Sequence, residues 1–199
     1  MAASDKVRLF VAIFPPESVI QRLMETIRTL AETLPKKAIA WSSPEQIHLT
    51  LNFLGGTPRD RIPDLERALA EVCSFAKCHY LEAAGLGCFP TPRRPRVVWA
   101  GLADPSGALL SLKNKLDERL TELGYAKEER TFQPHLTIGR VKELDAAMRL
   151  DVTPAVKEIR ERSFGRWTVS QVDLMQSVLS PHGALYSVVK SFPLSSTLP

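Results

Sequence analysis

Two short segments of the chain carry a histidine and a threonine two residues apart. The first is His48-Leu49-Thr50 and the second is His135-Leu136-Thr137. Alternate residues of a β-strand project from the same face, so each segment would place an imidazole beside a hydroxyl. Histidine can donate or accept a proton near neutral pH, and hydroxyl groups donate hydrogen bonds to anions. Two such pairs around one pocket suit acid–base chemistry on a small anion, which we interpret as a phosphate diester.

Polar and apolar residues alternate around the first pair, which predicts a half-buried strand over residues 46–55. In this strand Asn52 would share the polar face with His48 and Thr50. The opposite face would carry the apolar residues, which are Leu49, Leu51 and Phe53. The polar face is therefore expected to line a cleft.

The second strand is predicted over residues 131–141 and ends with a candidate phosphate-binding residue, Arg140. On an ideal strand Arg140 would point away from His135, because the two residues are five positions apart. Gly139 is a position where a β-bulge can form and redirect the arginine. We therefore keep Arg140 as a candidate site residue, provided that a bulge at Gly139 turns it to the face of His135.

The composition is that of a soluble globular protein with one domain, or with two small lobes that share a core. The 199 residues are 44% apolar and 24% charged, and we find no membrane span or secretory signal. Three cysteines do not make a disulfide framework, which favours the cytoplasm. A net charge of +4 mildly favours an anionic partner such as nucleic acid.

Hydrophobic spacing and turn residues divide the chain into strands and helices. Besides the two histidine strands, strands are predicted over residues 7–14, 39–41, 78–86, 96–102, 168–179 and 184–192. Helices are predicted over residues 17–34, 62–76 and 105–123, with a shorter fourth helix starting at Thr153. Residues 89–96 are rich in proline and are expected to lack regular structure.

The order of these elements repeats along the chain. A strand, a turn and a leucine-rich helix begin near Arg8 and again 88 residues later near Arg96, while His48 and His135 lie 87 residues apart. Two landmarks with nearly the same offset predict an internal duplication. Each half contains helices together with strands that reverse direction along the chain. We therefore expect an α+β fold of two lobes, each with an antiparallel-type sheet and with helices packed outside. Facing lobes would place the two histidines across a central groove.

A family resemblance rests on these motifs and covers nearly the whole chain. Its segments are Arg8 to Ala12, His48 to Gly55, Pro92 to Trp99, Pro134 to Arg140 and Ser177 to Tyr186. On these residues the chain resembles the two-histidine (2H) phosphoesterases, and most closely the RNA 2′,3′-cyclic phosphodiesterases, first named 2′-5′ RNA ligases. The resemblance implies one bilobal α+β domain over residues 1–199, with pseudo-twofold symmetry.

The resemblance also implies a reaction and its residues. A terminal 2′,3′-cyclic phosphate would be hydrolysed to a 2′-phosphomonoester without metal or other cofactor, and the reverse reaction would form a 2′-5′ linkage. His48 would donate a proton and His135 would accept one. Thr50, Thr137 and Arg140 would bind the phosphate. The expected partners are RNA with cyclic phosphate ends or cyclic nucleotides, bound by a monomer without an obligate protein partner or a membrane.

Two other functions stay open at this point. The groove is either an enzyme site or a binding module for 2′-phosphorylated nucleotides and RNA ends, although binding alone does not need two proton-transferring side chains. A metal-dependent hydrolase that uses both histidines as ligands would need a third ligand, for which the sequence offers no clear candidate.

Several further residues have two interpretations. Three arginines either contact an RNA backbone or are solvated in a loop: Arg93, Arg94 and Arg96. Three aromatic residues either stack on a base or belong to the core: Trp41, Phe53 and Phe132. Four residues lack the spacing of a common zinc finger and are expected to be buried or idle: Cys73, Cys78, His79 and Cys88. His182 is expected in an exposed turn.

Overall fold

The computed structural model describes residues 5–142, 150–180 and 183–196. The strands in these ranges are β1 (Lys6–Ile13), β2 (Ile39–Trp41), β3 (Leu49–Pro58), β4 (His79–Thr91), β5 (Arg94–Ala103), β6 (His135–Val141), β7 (Ser163–Val169), β8 (Gln171–Ser180) and β9 (Gly183–Pro193). The helices are α1 (Glu17–Thr33), α2 (Ile62–Phe75), α3 (Ala108–Glu122) and α4 (Thr153–Glu158).

The strands form two antiparallel sheets with a common order. One sheet has the order β3-β1-β8-β9, and the other has the order β2-β6-β5-β4-β7. Apart from β2, which extends the edge beside β6, each strand of one sheet has a counterpart in the other. The counterparts are β3 and β6, β1 and β5, β8 and β4, and β9 and β7. The α+β fold is confirmed, and the two His-x-Thr segments adjoin equivalent strands. The duplication itself stays a prediction.

The helices pack outside the sheets, and one apolar core connects them. The buried face of α1 repeats every three or four residues, through Val19, Leu23, Ile27 and Leu30. This helix packs against β7 of the five-stranded sheet, whereas α2 packs against β8, β9 and α3. The core contains residues from both sheets, so the two sheets are joined by apolar packing. Within the described ranges, no helix is long and apolar enough to cross a membrane.

A buried ion pair on α3 connects this helix to β3 and to the segment that precedes β6. Lys113 is 3% exposed and Asp117 is 6% exposed, and the two side chains form a salt bridge. Asn52 of β3 donates a hydrogen bond from Nδ2 to Asp117 at 2.6 Å. The ammonium group of Lys113 lies 5.5 Å from the ring centroid of Phe132, in the segment that leads into β6. Pairing and hydrogen bonding offset much of the desolvation penalty of the two charges.

The proline-rich segment is not irregular, contrary to the prediction, because it forms the tip of the β4–β5 hairpin. Pro90 lies opposite Pro95, and Thr91 pairs with Arg94. Proline has no N–H to donate to a sheet, and two prolines in register confine that loss to one position of the ladder. Three side chains are exposed at or beside this tip: Arg93, Arg94 and Arg96.

Three strand boundaries also differ from the prediction. The single strand expected over residues 168–179 is split at Ser170, because β7 and β8 enter different sheets. β3 and β6 begin at Leu49 and His135, three residues or more later than expected. A 3-10 turn that starts with Pro44 precedes β3, and Pro134, which cannot donate to a ladder, precedes β6. Both histidines therefore lie at the entrance of a strand.

Candidate active site

The two motif strands meet at the boundary between the sheets. β3 is the edge strand of the four-stranded sheet, and its residues contact β6 of the other sheet. His48 lies one residue before β3, and His135 is the first residue of β6. The strands that follow the two histidines are therefore in contact across the boundary between the sheets.

Three aromatic rings surround His48. The distances between ring centroids are 5.0 Å to Phe10, 5.4 Å to Phe14 and 5.3 Å to Tyr186. Phe10 belongs to a small apolar cluster, separate from the main core, against which Phe14 and Tyr186 pack. Burial among these groups, together with the smaller effects of the charges of Arg140 and His135, lowers the pKa of His48 to about 4. The imidazole of His48 is therefore neutral at pH 7 in the free protein.

Two other aromatic rings lie beside His135. The centroid distances are 5.0 Å to Phe89, which meets the imidazole edge-on, and 6.0 Å to Trp99. Burial also lowers the pKa of His135 below its ordinary value. Sequence reasoning missed both sets of rings. The available signal is strand pairing, since Trp99 lies opposite Thr137 in the β5–β6 ladder.

A backbone carbonyl two residues earlier in the chain acts on each histidine. His135 Nδ1 lies 2.6 Å from the carbonyl oxygen of Gln133. A carbonyl only accepts, so Nδ1 donates the proton and Nε2 of the neutral ring is left as an acceptor. The carbonyl of Gln46 acts on His48 in the same sense, raising its pKa against the larger effect of burial. Unlike His135 Nδ1, His48 Nδ1 has no hydrogen-bond partner in the described chain.

Both motif strands contain a β-bulge directly after the threonine. In the β1–β3 ladder, Thr50 pairs with Ala12 and the next pair is Asn52 with Val11, so that Leu51 is unpaired. In the β5–β6 ladder, Thr137 and Gly139 are paired and Ile138 is unpaired. The two bulged residues are 87 positions apart, which is the spacing of the histidines. A bulge reverses which face the following residues occupy.

The first bulge overturns the predicted faces of Asn52 and Phe53. Asn52 was expected beside His48 and Thr50, but its amide hydrogen bonds to the buried Asp117. Phe53 was expected on the buried face with Leu49 and Leu51, which are each 1% exposed, yet Phe53 is 68% exposed. Strict alternation holds only up to the bulge, because the extra residue shifts the pattern by one position.

The second bulge explains the position of Arg140. The bulge after Thr137 is confirmed, and it restores Arg140 to the face of His135 despite the odd spacing between them. After burial, which has the larger effect, the positive charge of Arg140 lowers the pKa of both His48 and His135. The guanidinium group therefore lies within electrostatic reach of both imidazoles. Thr50 and Thr137 are half-buried on their strands.

Replacing Arg140 with methionine tests this arrangement. We expect the pKa values of both His48 and His135 to rise, because one positive charge that disfavours each imidazolium is removed. The measurement is a pH titration of the histidine ring protons by NMR. The Arg140→Lys variant is the control, since it keeps the charge and should keep both pKa values low. An Arg140→Met variant with unchanged titrations would contradict the placement of Arg140.

The residues considered as a zinc cluster do not form one. Cys73, Cys78 and Cys88 are buried free thiols, and burial raises the pKa of Cys73 to about 12 and that of Cys88 to about 11. His79 is buried, and its Nδ1 lies 3.0 Å from the carbonyl of Lys77. In the part of the chain that the structure describes, no three His, Cys, Asp or Glu side chains are grouped to hold a metal ion. His182 lies outside the described residues.

The structure also distinguishes among the three aromatic residues that were considered for base stacking. Trp41 and Phe132 are partly buried and pack against the main core. Phe53 differs from both because it is exposed, and its ring lies 6.5 Å from that of Phe10. The core interpretation therefore holds for Trp41 and Phe132 but not for Phe53.

Known proteins match the chain over nearly its full length. The sequence profile of the 2′-5′ RNA ligase superfamily matches residues 13–180. A protein of Archaeoglobus fulgidus named RNA 2′,3′-cyclic phosphodiesterase is 34% identical over 185 residues, covering 93% of this chain and 99% of the relative. A Methanocaldococcus jannaschii protein with the same name is 30% identical over 185 residues, with coverage of 93% and 99%.

Solved structures agree with the fold. The crystal structure of TT0787 from Thermus thermophilus has a TM-score of 0.79 and 28% identity, covering 95% of this chain and 98% of that protein. The apo structure of Escherichia coli LigT has a TM-score of 0.72 at 23% identity, covering 97% of this chain and all of LigT. Sequence and fold together confirm the resemblance that the motifs indicated, and the chain belongs to the 2′-5′ RNA ligase superfamily.

Proposed function

We propose that this protein hydrolyses terminal 2′,3′-cyclic phosphates of RNA to 2′-phosphomonoesters, with His48 as proton donor and His135 as proton acceptor. The observation that carries the proposal is that two imidazoles from equivalent strands lie in the field of one guanidinium group, that of Arg140. Further support comes from the Archaeoglobus and Methanocaldococcus relatives, both named RNA 2′,3′-cyclic phosphodiesterase.

The first proton transfer in this mechanism belongs to His135. Its Nε2 atom accepts a proton from water, and the oxygen of that water attacks phosphorus. The hydrogen bond from Nδ1 to the Gln133 carbonyl keeps Nε2 free beforehand and stabilises the imidazolium that forms. A general base of this kind typically contributes about 10²–10⁴-fold to the rate.

The second proton transfer belongs to His48. As the water oxygen bonds to phosphorus, the bond between phosphorus and O3′ breaks, and His48 gives its proton to O3′. The second water proton stays on the new phosphomonoester, so one water is added and both histidines have exchanged one proton. The products are a 2′-phosphate and a free 3′-hydroxyl. The threonine hydroxyls and the guanidinium group stabilise the non-bridging oxygens: Thr50, Thr137 and Arg140.

Substrate binding supplies the proton affinity that His48 lacks in the free protein. Burial, helped by the charges of Arg140 and His135, holds its pKa at about 4, so the empty site favours a neutral ring. An anionic phosphate beside the ring favours the imidazolium and also balances the charge of Arg140. The donor is therefore charged when the substrate is present, which limits proton donation to the bound state.

The proposal is tested by incubating the protein with RNA that ends in a 2′,3′-cyclic phosphate, in the presence of excess EDTA. We expect hydrolysis to continue, because the two imidazoles supply both proton transfers, and phosphorus NMR to identify the 2′-phosphomonoester. Inhibition by EDTA that added metal reverses would contradict the mechanism. A 3′-phosphate product would mean that the leaving group is O2′, and binding without a product would favour the binding module.

The same proposal extends to the reverse reaction and to the setting of the enzyme. Microscopic reversibility allows the two histidines to join a 2′,3′-cyclic end to a 5′-hydroxyl through a 2′-5′ linkage. RNA ends and cyclic nucleotides are the proposed partners of a monomeric protein. A cytoplasmic location is supported by the three cysteines, which are free thiols as expected in a reducing compartment.

A further inference from the structure

Two cationic side chains that the two-histidine mechanism does not use lie on strand β1. The exposed residues Lys6 and Arg8 alternate along this strand with Val7 and Leu9, which are buried in the main core. Phe10 continues the series of Lys6 and Arg8, and it belongs to the small apolar cluster that is separate from the main core. Alternate residues of a strand project from the same face. The two cations therefore share with Phe10 the face of the four-stranded sheet that is turned away from the main core.

This face connects the two cations to the candidate site. The ring centroid of Phe10 lies 5.0 Å from that of His48. Arg8 is two residues before Phe10, and Lys6 is two residues before Arg8. Each step of two residues spans about 6.8 Å along a strand. Starting from the imidazole, β1 therefore presents an aromatic ring and then two evenly spaced positive charges.

Neither cation has an acidic partner in the ranges that the structure describes. The salt bridges found there all join other residues. The neighbours of Arg8 on the adjacent strands are Gly56 and Ser177, which carry no charge. Lys6 pairs with Pro58, and its stem passes over Gly56, where a Cβ atom would lie 3.7 Å from Lys6 Cδ. Two positive charges without counter-charges favour an anionic partner.

An RNA chain supplies anions at a comparable interval. The reacting cyclic phosphate is at the end of the chain, so the next phosphate is the one on the 5′ oxygen of the same ribose. Further phosphates follow at one per nucleotide, and in an extended single strand their separation is close to two residues of a β-strand. Contacts between phosphates and Lys or Arg side chains provide affinity that does not depend on base sequence. The spacing and the charge of this face therefore match an RNA backbone that leads away from His48.

We propose that Arg8 binds the 5′ phosphodiester of the terminal nucleotide and that Lys6 binds the phosphodiester before it. This inference rests on the proposed function and extends it from the cyclic phosphate to the RNA chain that carries it. The enzyme then prefers RNA ends to mononucleoside cyclic phosphates, which have no phosphodiester to offer. The preference depends on the number of phosphates in the substrate and not on its bases.

The test uses three substrates with the same reacting group. These are adenosine 2′,3′-cyclic phosphate and the adenosine dinucleotide and trinucleotide that end in a 2′,3′-cyclic phosphate, with no, one and two phosphodiesters. In Arg8→Met we expect KM to rise roughly 2- to 5-fold for the dinucleotide and the trinucleotide, as for an exposed ion pair. In Lys6→Met only the KM of the trinucleotide should rise. The KM of the mononucleotide and kcat for all three substrates should stay unchanged.

The dependence of KM on salt provides a second readout. Each phosphate contact on a single strand contributes about 0.7 to the slope of log KM against the logarithm of the salt concentration. For the dinucleotide this slope should therefore decrease by about 0.7 in Arg8→Met. Arg8→Lys keeps the charge and should keep both the slope and KM close to the wild-type values.

Arg28→Met is the matched control, since it removes an exposed cation from α1 and should change none of the three substrates. An equal rise in KM for the mononucleotide and the dinucleotide in Arg8→Met would overturn the role of Arg8, and so would an unchanged KM for the dinucleotide. An unchanged KM for the trinucleotide in Lys6→Met would overturn the role of Lys6. If the wild-type protein hydrolyses none of the three substrates, the proposed function fails instead.

Discussion

Replacing His135 or His48 with glutamine should lower kcat by at least about 100-fold, and up to about 10⁴-fold. Glutamine keeps hydrogen-bonding groups at the site, but it cannot exchange protons near neutral pH. Because the two transfers belong to one reaction, the double variant should lose less than the product of the single effects. The measurement is the initial rate at saturating cyclic nucleotide for the two single variants and the double variant.

His79 provides a matched control for this experiment. It is a buried histidine whose Nδ1 also lies beside a backbone carbonyl, that of Lys77, but it begins β4 and pairs with Val169 of β7. His79→Gln should lower the melting temperature and leave kcat of the folded protein unchanged. A loss of kcat in His79→Gln as large as in His135→Gln would contradict the proposed roles. Wild-type kcat in His48→Gln or in His135→Gln would also contradict them.

Replacing Asp117 with alanine should reduce the free energy of unfolding by about 3–5 kcal/mol, the usual effect of breaking a buried ion pair. The variant leaves the ammonium of Lys113, which is 3% exposed, without its counter-charge. It also removes the acceptor for the amide of Asn52. The midpoint and slope of urea unfolding, followed by circular dichroism, measure the change.

Two comparisons show whether the loss of stability in Asp117→Ala comes from the buried, unpaired charge rather than from the loss of an ion pair as such. Arg67→Ala removes a pair with Asp64 in which the arginine side chain is 76% exposed, and it should change the unfolding free energy by about 0–1 kcal/mol. The double variant Lys113→Met and Asp117→Leu should be more stable than Asp117→Ala, because no unpaired charge remains in the core. An Asp117→Ala variant as stable as Arg67→Ala would show that the buried pair contributes little.

The parts of the fold that the sequence predicts are those with long regular patterns. The apolar spacing of α1, α2 and α3 predicts these helices, since a helix side buried against a sheet needs apolar residues every three or four positions. The nearly equal offsets of the two histidines and of the two strands near Arg8 and Arg96 predict equivalent strands in two sheets. The same pattern places His48 and His135 at the beginnings of β3 and β6.

The features that the sequence does not reveal depend on which strands pair. A bulge is defined by the partner strand, so the pattern around Leu51 cannot show that Asn52 turns inward and Phe53 outward. Pro90 and Pro95 indicate a loop in isolation, but they face each other in a hairpin ladder. The aromatic rings near the histidines come from distant strands, so their contacts are absent from any local segment of sequence.

The path of the chain between the sheets determines how the molecule can be divided. Along the described chain the strands change sheet four times, between β1 and β2, β2 and β3, β3 and β4, and β7 and β8. The first half of the chain supplies α1 and β2 to the five-stranded sheet, and the second half supplies β8 and β9 to the four-stranded sheet. A polypeptide cut between β4 and β5 therefore yields two fragments, neither of which contains all the strands of either sheet. Neither sheet can therefore be completed by one of the two fragments alone, because the chain passes from one sheet to the other and back.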